Sequence, residues 1–398
     1  MKLLLTADRL LDGTGRVFEP GALLIDEGRI LAVDRRLEAP AAEHRHHARA
    51  TILPGLIDCH VHLTRRPVAD PAEDADADSE RLRHLADHAR STLGSGVTTV
   101  RDCGGTNHLE MRFRAAAAGR PVSPRLVLAG RIVSVSTPAA ELWRGMYHQA
   151  DGPEAVRTAV RQEVEAGADF IKVMATGAVM SPPGERPGQQ QYSLEELRTA
   201  VDTAHGLGRR VAAHAHGVHG LRAAVEAGVD TIEHGTMLHL DPRAVELMAE
   251  SGTYLVPTLR ATTLLSNPPG PGIPAAIVEK AREVAEHHRS SLAAALAAGV
   301  RIAMGTDAAT SFNRHGENPA ELELMVEAGL SPMQAIVAST ATAAAALGRE
   351  GELGRLAPGL SADVLVVAGN PLKEIAGLRR QPLEVLLGGV VCSAGPFR

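Results

Sequence analysis

Aromatic residues make up only 2% of this chain of 398 residues, which has a single tryptophan. So thin a supply removes the stacking platforms on which single-stranded nucleic acid is held. No basic run or stripe compensates, and the formal charge is −6, which argues against a nucleic-acid partner. Cysteine is equally scarce. Cys59, Cys103 and Cys392 are an odd set that cannot build a disulfide framework, and they suggest a reducing compartment. No apolar run approaches the length of a membrane span, and the opening residues 1–9 are interrupted by charge too soon to read as a signal peptide. The expectation is a cytoplasmic protein with neither nucleic acid nor membrane as partner.

What the chain does have is apolar content, glycine and histidine. Hydrophobic residues at 44% permit a large core. Glycines recur between helix-like stretches rich in Ala, Leu, Glu and Arg and the apolar runs that follow: Gly96, Gly119, Gly167, Gly208, Gly228, Gly252 and Gly299. A helix ending in a left-handed residue wants glycine there, so each marks a helix-to-strand turn. Seven such turns plus a first strand near Leu53 predict eight strands alternating with helices, the pattern of a (βα)8 barrel over residues 51–351. The flanks differ. Residues 1–50 show short apolar runs separated by Asp-Gly and Glu-Gly turns, a hairpin pattern, and residues 352–398 repeat that character. The two ends are expected to meet as one small β-sandwich, with helices over 331–347 leading to it from the barrel. Three polar or proline-rich loops, 65–79, 180–191 and 266–274, would rim the barrel mouth.

The 18 histidines exceed the aromatics in number, and their placement carries the chemistry. Asp58-Cys59-His60-Val61-His62 follows the apolar run 52–57. Lys172, His214, His234 and Asp307 lie at or just past the ends of the runs 170–173, 210–213, 231–233 and 300–306. His60 and His62, two apart on a strand, point to one face, and imidazole nitrogen is a good zinc donor. Ligand types delivered from the carboxyl ends of successive barrel strands converge on one face. Lys172 is the unusual member, because an ammonium group beside divalent cations would be repelled. A neutral amine that adds carbon dioxide becomes instead an anionic, two-oxygen ligand. Asp58 reads as a structural partner of the histidine pair.

Taken together, Pro54-Gly-Leu-Ile-Asp-Cys-His-Val-His, Ile171-Lys-Val-Met-Ala-Thr-Gly, Val211-Ala-Ala-His-Ala-His-Gly, Ile232-Glu-His-Gly, Val256-Pro-Thr-Leu and Met304-Gly-Thr-Asp resemble the amidohydrolase superfamily. More narrowly, they are similar to its branch of zinc-dependent Xaa-Pro dipeptidases, arginine and lysine carboxypeptidases and ochratoxin-type amidases, with imidazolonepropionase a further relative. The resemblance extends to Gly359-Leu-Ser-Ala-Asp-Val-Leu-Val-Val near the end of the chain. It implies two divalent ions, zinc foremost, with His60, His62 and Asp307 on the first, His214 and His234 on the second, and a CO2-derived carbamate of Lys172 bridging both. It further implies a shared hydroxide as nucleophile, Asp307 as the proton carrier, and His216 as the donor that polarises the scissile carbonyl. The substrate would be a small-molecule amide or peptide, and the protein a homo-oligomer.

The chain also departs from the family pattern. Many relatives have Thr-Gly-Gly-His after the third strand, where residues 136–148 here have neither the double glycine nor its histidine. Trp143, Arg144 and His148 stand nearby instead, and Thr176-Gly177-Ala178 replaces a more usual Thr-Gly-Gly. Trp143, Arg144, His148, Thr176 and Gly177, with His216 and His315, are the candidate substrate contacts. Two other readings stay open: a mononuclear cyclic amidase or deaminase of imidazolonepropionase type, and a metal-holding scaffold without catalysis.

Overall fold

A computed structural model describes residues 2–393, with strands and helices alternating through the middle of the chain. The seven glycines expected at helix-to-strand turns all have positive φ, between 69° and 109°. Gly167, Gly228 and Gly252 directly cap the helices Pro153–Ala166, Val218–Ala227 and Pro242–Ser251. After each, the chain reverses into a buried strand or its partner-bound approach.

Among the described residues, the strands at the two chain ends hydrogen-bond into one sheet. Its order is Val390–Ser393, Glu384–Leu387, Val364–Ala368, Glu43–Pro54, Leu3–Leu11, Gly21–Asp26 and Arg29–Asp34. The last two form a hairpin whose turn, Glu27-Gly28, has positive φ at both positions, the twist that suits a tight two-residue connection. Leu5, Leu23, Ile52, Val364 and Leu386 pack a separate core on this sheet. The two ends of the chain thus share one continuous hydrogen-bonded sheet. The first barrel strand also needs moving. Ile52 and Leu53 belong to this terminal sheet, pairing with Val366 and Leu365, and the next strand begins only at Leu56.

The central strands run parallel in two groups. Leu56–Val61, Val97–Asp102 and Arg125–Leu128 form one, while Tyr147–Gln149, Ile132–Ser134, Phe170–Met174, Arg210–Ala215, Thr231–His234 and Tyr254–Val256 form the other. Backbone contacts link the groups. Asp169 N donates to Leu128 O at 2.8 Å, Leu255 bridges Ile302, and Cys59 N donates to Met304 O at 2.9 Å. The run 300–306 is not a regular strand; its one ladder pairing is the isolated Leu255–Ile302 bridge, and Met304 N donates instead to Ala338 O.

Alternation along the strands sorts side chains between two cores. Ile171, Val173, Val211, Ala213 and Ile232 join the large outer core beneath the helices. Phe170 and Ala212, of opposite parity, pack with Cys103 and Ala129 in a small inner core. Lys172 and His214 share that inner parity. The helices Pro332–Ala338 and Ala341–Ala346 fall where the sequence placed them, the first started by a Ser331/Gln334 capping box. No helix among the described residues is long and apolar enough to cross a membrane.

Candidate metal centre

The strand Leu56–Val61 carries His60 and delivers His62 just past its end; both face inward as the period of two requires. His60 Nε2 and His62 Nε2 lie 3.5 and 3.3 Å from Asp307 Oδ1. Donors about 2 Å from one tetrahedral ion stand about 3.4 Å apart, so this spacing fits a shared cation. Asp307 has φ of 55°, an uncommon conformation for a non-glycine residue. It is held there by its N–H to His60 O at 2.7 Å and by Asn313 Nδ2 to its carbonyl at 2.9 Å.

A second cluster faces the first. His214, His216 and His234 bring ligand nitrogens within 4.8 Å of one another. The rings of His214 and His234 are 4.5 Å apart, and His234 lies 5.1 Å from His60, so the two clusters adjoin. His234 Nδ1 meets Thr258 Oγ1 at 2.7 Å, and His216 Nδ1 meets Thr236 Oγ1 at 2.9 Å. Such contacts to one ring nitrogen orient the other. Lys172 belongs to the same cavity. It is 2% exposed, and its Nζ has no hydrogen-bond partner.

The electrostatics suit neutral ligands. Burial, followed by the nearby Lys172 amine, pushes His60 down to about 4 and His214 to about 3. Burial and neighbouring imidazoles hold His216 and His234 well below the ordinary histidine value. For Asp307, burial opposes ionisation, but His60 and His62 outweigh it and bring the carboxyl down to about 2. His62 goes the other way, its pKa raised against burial by Asp307. Imidazoles held neutral at His60, His214, His216 and His234, the Asp307 carboxylate beside His62 and an unpartnered buried amine fit divalent-cation binding. A third cluster, His60, Cys103 and Glu233, does not: Glu233 is already bound by Arg101 at 2.6 Å, and burial pushes the Cys103 thiol up to about 12.

Asp58 is structural, as expected. It accepts from His60 N, Thr306 N, Thr306 Oγ1 and Asn318 Nδ2, tying the first strand to the segment before Asp307.

The expected substrate contacts divide. His216 and Trp143 line the cleft that opens over both clusters. The others lie outside its wall. Thr176 accepts from His216 N, and Gly177 O faces His214 Nε2 at 3.1 Å, so both support the imidazoles from behind. Arg144 is exposed and paired with Glu141. His148 turns away to Glu163 Oε1 at 2.7 Å, and His315 stacks on His88 while its Nε2 lies 3.3 Å from His62 O. The sequence reading missed Arg65, Tyr147, Met146, Met174 and Met180. For Tyr147 a signal existed: on the strand Tyr147–Gln149 neighbours face opposite ways, so Tyr147 and His148 cannot both face the cleft.

Comparison with known proteins gives a consistent result. The sequence pattern of the amidohydrolase family matches residues 51–392. Ochratoxinase from Aspergillus niger is 32% identical over 408 residues, covering 93% of this chain and 82% of that protein. Imidazolonepropionase from Rhizorhabdus wittichii is 28% identical, covering 88% of each. The crystal structure of a Xaa-Pro dipeptidase with bound methionine superimposes with a TM-score of 0.90 at 32% identity, over 99% of this chain and all of that one.

Proposed function

The chain belongs to the amidohydrolase family and is a metal-dependent hydrolase of carbon–nitrogen bonds; from that premise we propose a binuclear centre that cleaves a dipeptide, an N-acyl amino acid or a related carboxamide. The observation that carries the proposal is Lys172, a buried amine without a partner beside two imidazole clusters. Such an amine adds carbon dioxide with loss of a proton, which turns an electrostatic liability into an anionic ligand with two oxygens. His60, His62 and Asp307 would hold one divalent cation, His214 and His234 the other, and the Lys172 carbamate both, with zinc as the metal. When bound, such ions lower the pKa of water towards about 7 and polarise a carbonyl.

The protein's own groups supply the rest. Asp307 takes a proton from the attacking water and returns it to the departing amine nitrogen. In the tautomer whose Nδ1 accepts from the Thr236 hydroxyl, His216 would carry its hydrogen on Nε2 and donate it to the carbonyl oxygen as negative charge develops there. Trp143 offers a flat apolar contact at the rim.

We also read the parallel strands as a closed (βα)8 barrel beginning at Leu56 and ending near 351, with the chain up to Pro54 and 352–398 as a composite β domain. The hydrogen bonds of Asp169 to Leu128 and of Cys59 to Met304, and the Leu255–Ile302 bridge, support closure. Action in the cytoplasm, supported by three free cysteines, and assembly into a homo-oligomer belong to the same reading.

The test is reconstitution of metal-free protein with zinc and bicarbonate, followed by elemental analysis and assay against dipeptides, N-acyl amino acids and simple carboxamides. Two ions per chain, with one ion and most activity lost in Lys172→Ala, are expected. One ion per chain with a fully active Lys172→Ala protein would point to the mononuclear mechanism instead.

A further inference from the structure

Arg65 sits in the cavity wall three residues beyond His62 and is 2% exposed. Its Nε lies 2.7 Å from Asp74 Oδ2 but outside hydrogen-bonding alignment, and its Nη2 has no partner at all. Asp74 cannot neutralise it alone. The same carboxylate accepts from Arg81 Nη1 at 3.1 Å and from Arg66 N at 3.2 Å, and Asp76 is taken by the Arg66 side chain at 2.7 Å. Three guanidinium groups therefore share two carboxylates, which leaves one positive charge over at the edge of the cleft. Burial draws the Arg65 pKa down to about 10, in keeping with a cation short of compensating contacts.

The surroundings make this cation a recognition device. The Arg65 guanidinium lies over the Trp143 ring, 4.2 Å from its centroid, a cation–π contact that fixes its place in the wall. Tyr147 lines the same cleft, and its hydroxyl has no hydrogen-bond partner among the described residues. Around these two donors the wall is apolar: Met146, Met174, Val179, Met180, Leu265 and Val284. A guanidinium with an unpartnered N–H donates strongly to a carboxylate, and methionine-rich walls adapt to varied aliphatic groups.

We infer that Arg65 and Tyr147 form a carboxylate-binding subsite that selects amides whose amine half is an amino acid with an apolar side chain. The inference deepens the hydrolase reading and rests on the cleft being where the amide bond is cut. It also accounts for the missing Thr-Gly-Gly-His segment, because the loop that lacks it supplies Trp143 and Tyr147 instead.

The test compares N-acetyl-L-leucine with N-(3-methylbutyl)acetamide, the same molecule without its carboxylate, on zinc-loaded enzyme. Wild type is expected to prefer the acid. Arg65→Met, which keeps an apolar cover on Trp143, and Tyr147→Phe, which removes one hydroxyl, should each lower the ratio of kcat/KM values by roughly 10- to 100-fold, the range of a hydrogen bond to a charged group. A ratio that stays the same in both variants, or wild type with no preference for the acid, would overturn the subsite. Calorimetric binding of the product L-leucine separates this from the broader reading. If wild type binds leucine and Arg65→Met binds it at least tenfold more weakly, the subsite stands even where no amide is cleaved, and only the hydrolytic reading fails. If leucine binds both proteins equally, the subsite is wrong whatever the activity. Melting curves show whether Arg65→Met is folded; Tyr147→Phe, a smaller change, carries the test if it is not.

Discussion

His60 Nδ1 lies 2.7 Å from Glu233 Oε2, and the other oxygen of that carboxylate receives Arg101 Nη2 at 2.6 Å. The carboxylate therefore fixes the imidazole with its Nε2 turned toward Asp307, while Arg101 keeps the carboxylate from being a bare buried charge. Glu233 was not a candidate from the sequence, although it precedes His234 on the same strand. Glu233→Gln should keep the fold's shape but weaken the hold on the ring. Loss of such an outer partner costs roughly 10- to 100-fold in metal affinity. Competition with a chromophoric chelator measures it, and unchanged affinity would show that His60 is oriented without Glu233.

Lys172 predicts a conflict between stability and function. Its amine is buried without a hydrogen-bond partner, a cost that the nearby Asp307 and Glu233 carboxylates offset only through space. Lys172→Met fills the same space with an apolar chain and should stabilise metal-free protein by about 1–3 kcal/mol. The same variant should lose an ion and most of its turnover. Urea unfolding in chelator gives the first number and elemental analysis the second. A destabilised variant would mean that Lys172 has a stabilising contact in the metal-free state.

The clustering of the candidate ligands was legible because chemistry and geometry coincide in one dimension. His60 and His62 show the period of a strand, and Lys172, His214 and His234 end apolar runs opened by glycines whose left-handed conformation is confirmed. What escaped depends on choices with no local trace. Ile52 and Leu53 read as the start of a barrel strand, yet they pair with Val366 and Leu365, more than 300 residues later. The run 300–306 looked like a strand, but it makes only isolated pairings before the strained Asp307. Arg65 lies in a loop whose path is set by Asp74 and Arg81, so its inward turn follows from charge pairing that no periodicity reports.

A pH effect should arise away from the metals, at Glu163. This buried carboxylate receives His108, His148 and Arg131. Burial alone would raise its pKa, but those hydrogen bonds and the Arg131 charge win and depress it well below the ordinary 4.5. The folded state thus holds the Glu163 proton less tightly than the unfolded chain. Its contribution is fully present above pH 4.5 and is lost as pH falls toward the depressed folded value. Glu163→Gln should cost about 2–4 kcal/mol at pH 7, as expected for breaking a buried charged network. The gap between variant and wild type should narrow as the pH is lowered below the glutamate range. Denaturant titrations at neutral and acid pH check this, and a gap that widens on acidification would reverse the assigned sign.

Gly55 is where the terminal sheet hands over to the parallel strands, and it permits no side chain. A Cβ there would lie 2.1 Å from Thr98 Oγ1 and 2.4 Å from Thr98 Cγ2, closer than real contacts allow. Thr98 cannot easily yield, because it is itself 1% exposed in the strand Val97–Asp102. Gly55 N donates to Asp363 O, and Leu56 N to Gly96 O, so the two neighbouring amides serve different sheets. Displacing either strand would disturb both ladders and shift the register that sets His60 and His62 against Asp307. Gly55→Ala should therefore destabilise the protein by about 2–4 kcal/mol, as overpacked or strained buried sites do. Thr98→Ala removes two of the three nearest atoms, Oγ1 and Cγ2, and leaves only Cβ at 2.8 Å. In the double variant Gly55→Ala/Thr98→Ala the loss should fall well short of the sum of the two single losses. Strict additivity would show that backbone conformation at Gly55, and not contact with Thr98, is what demands glycine.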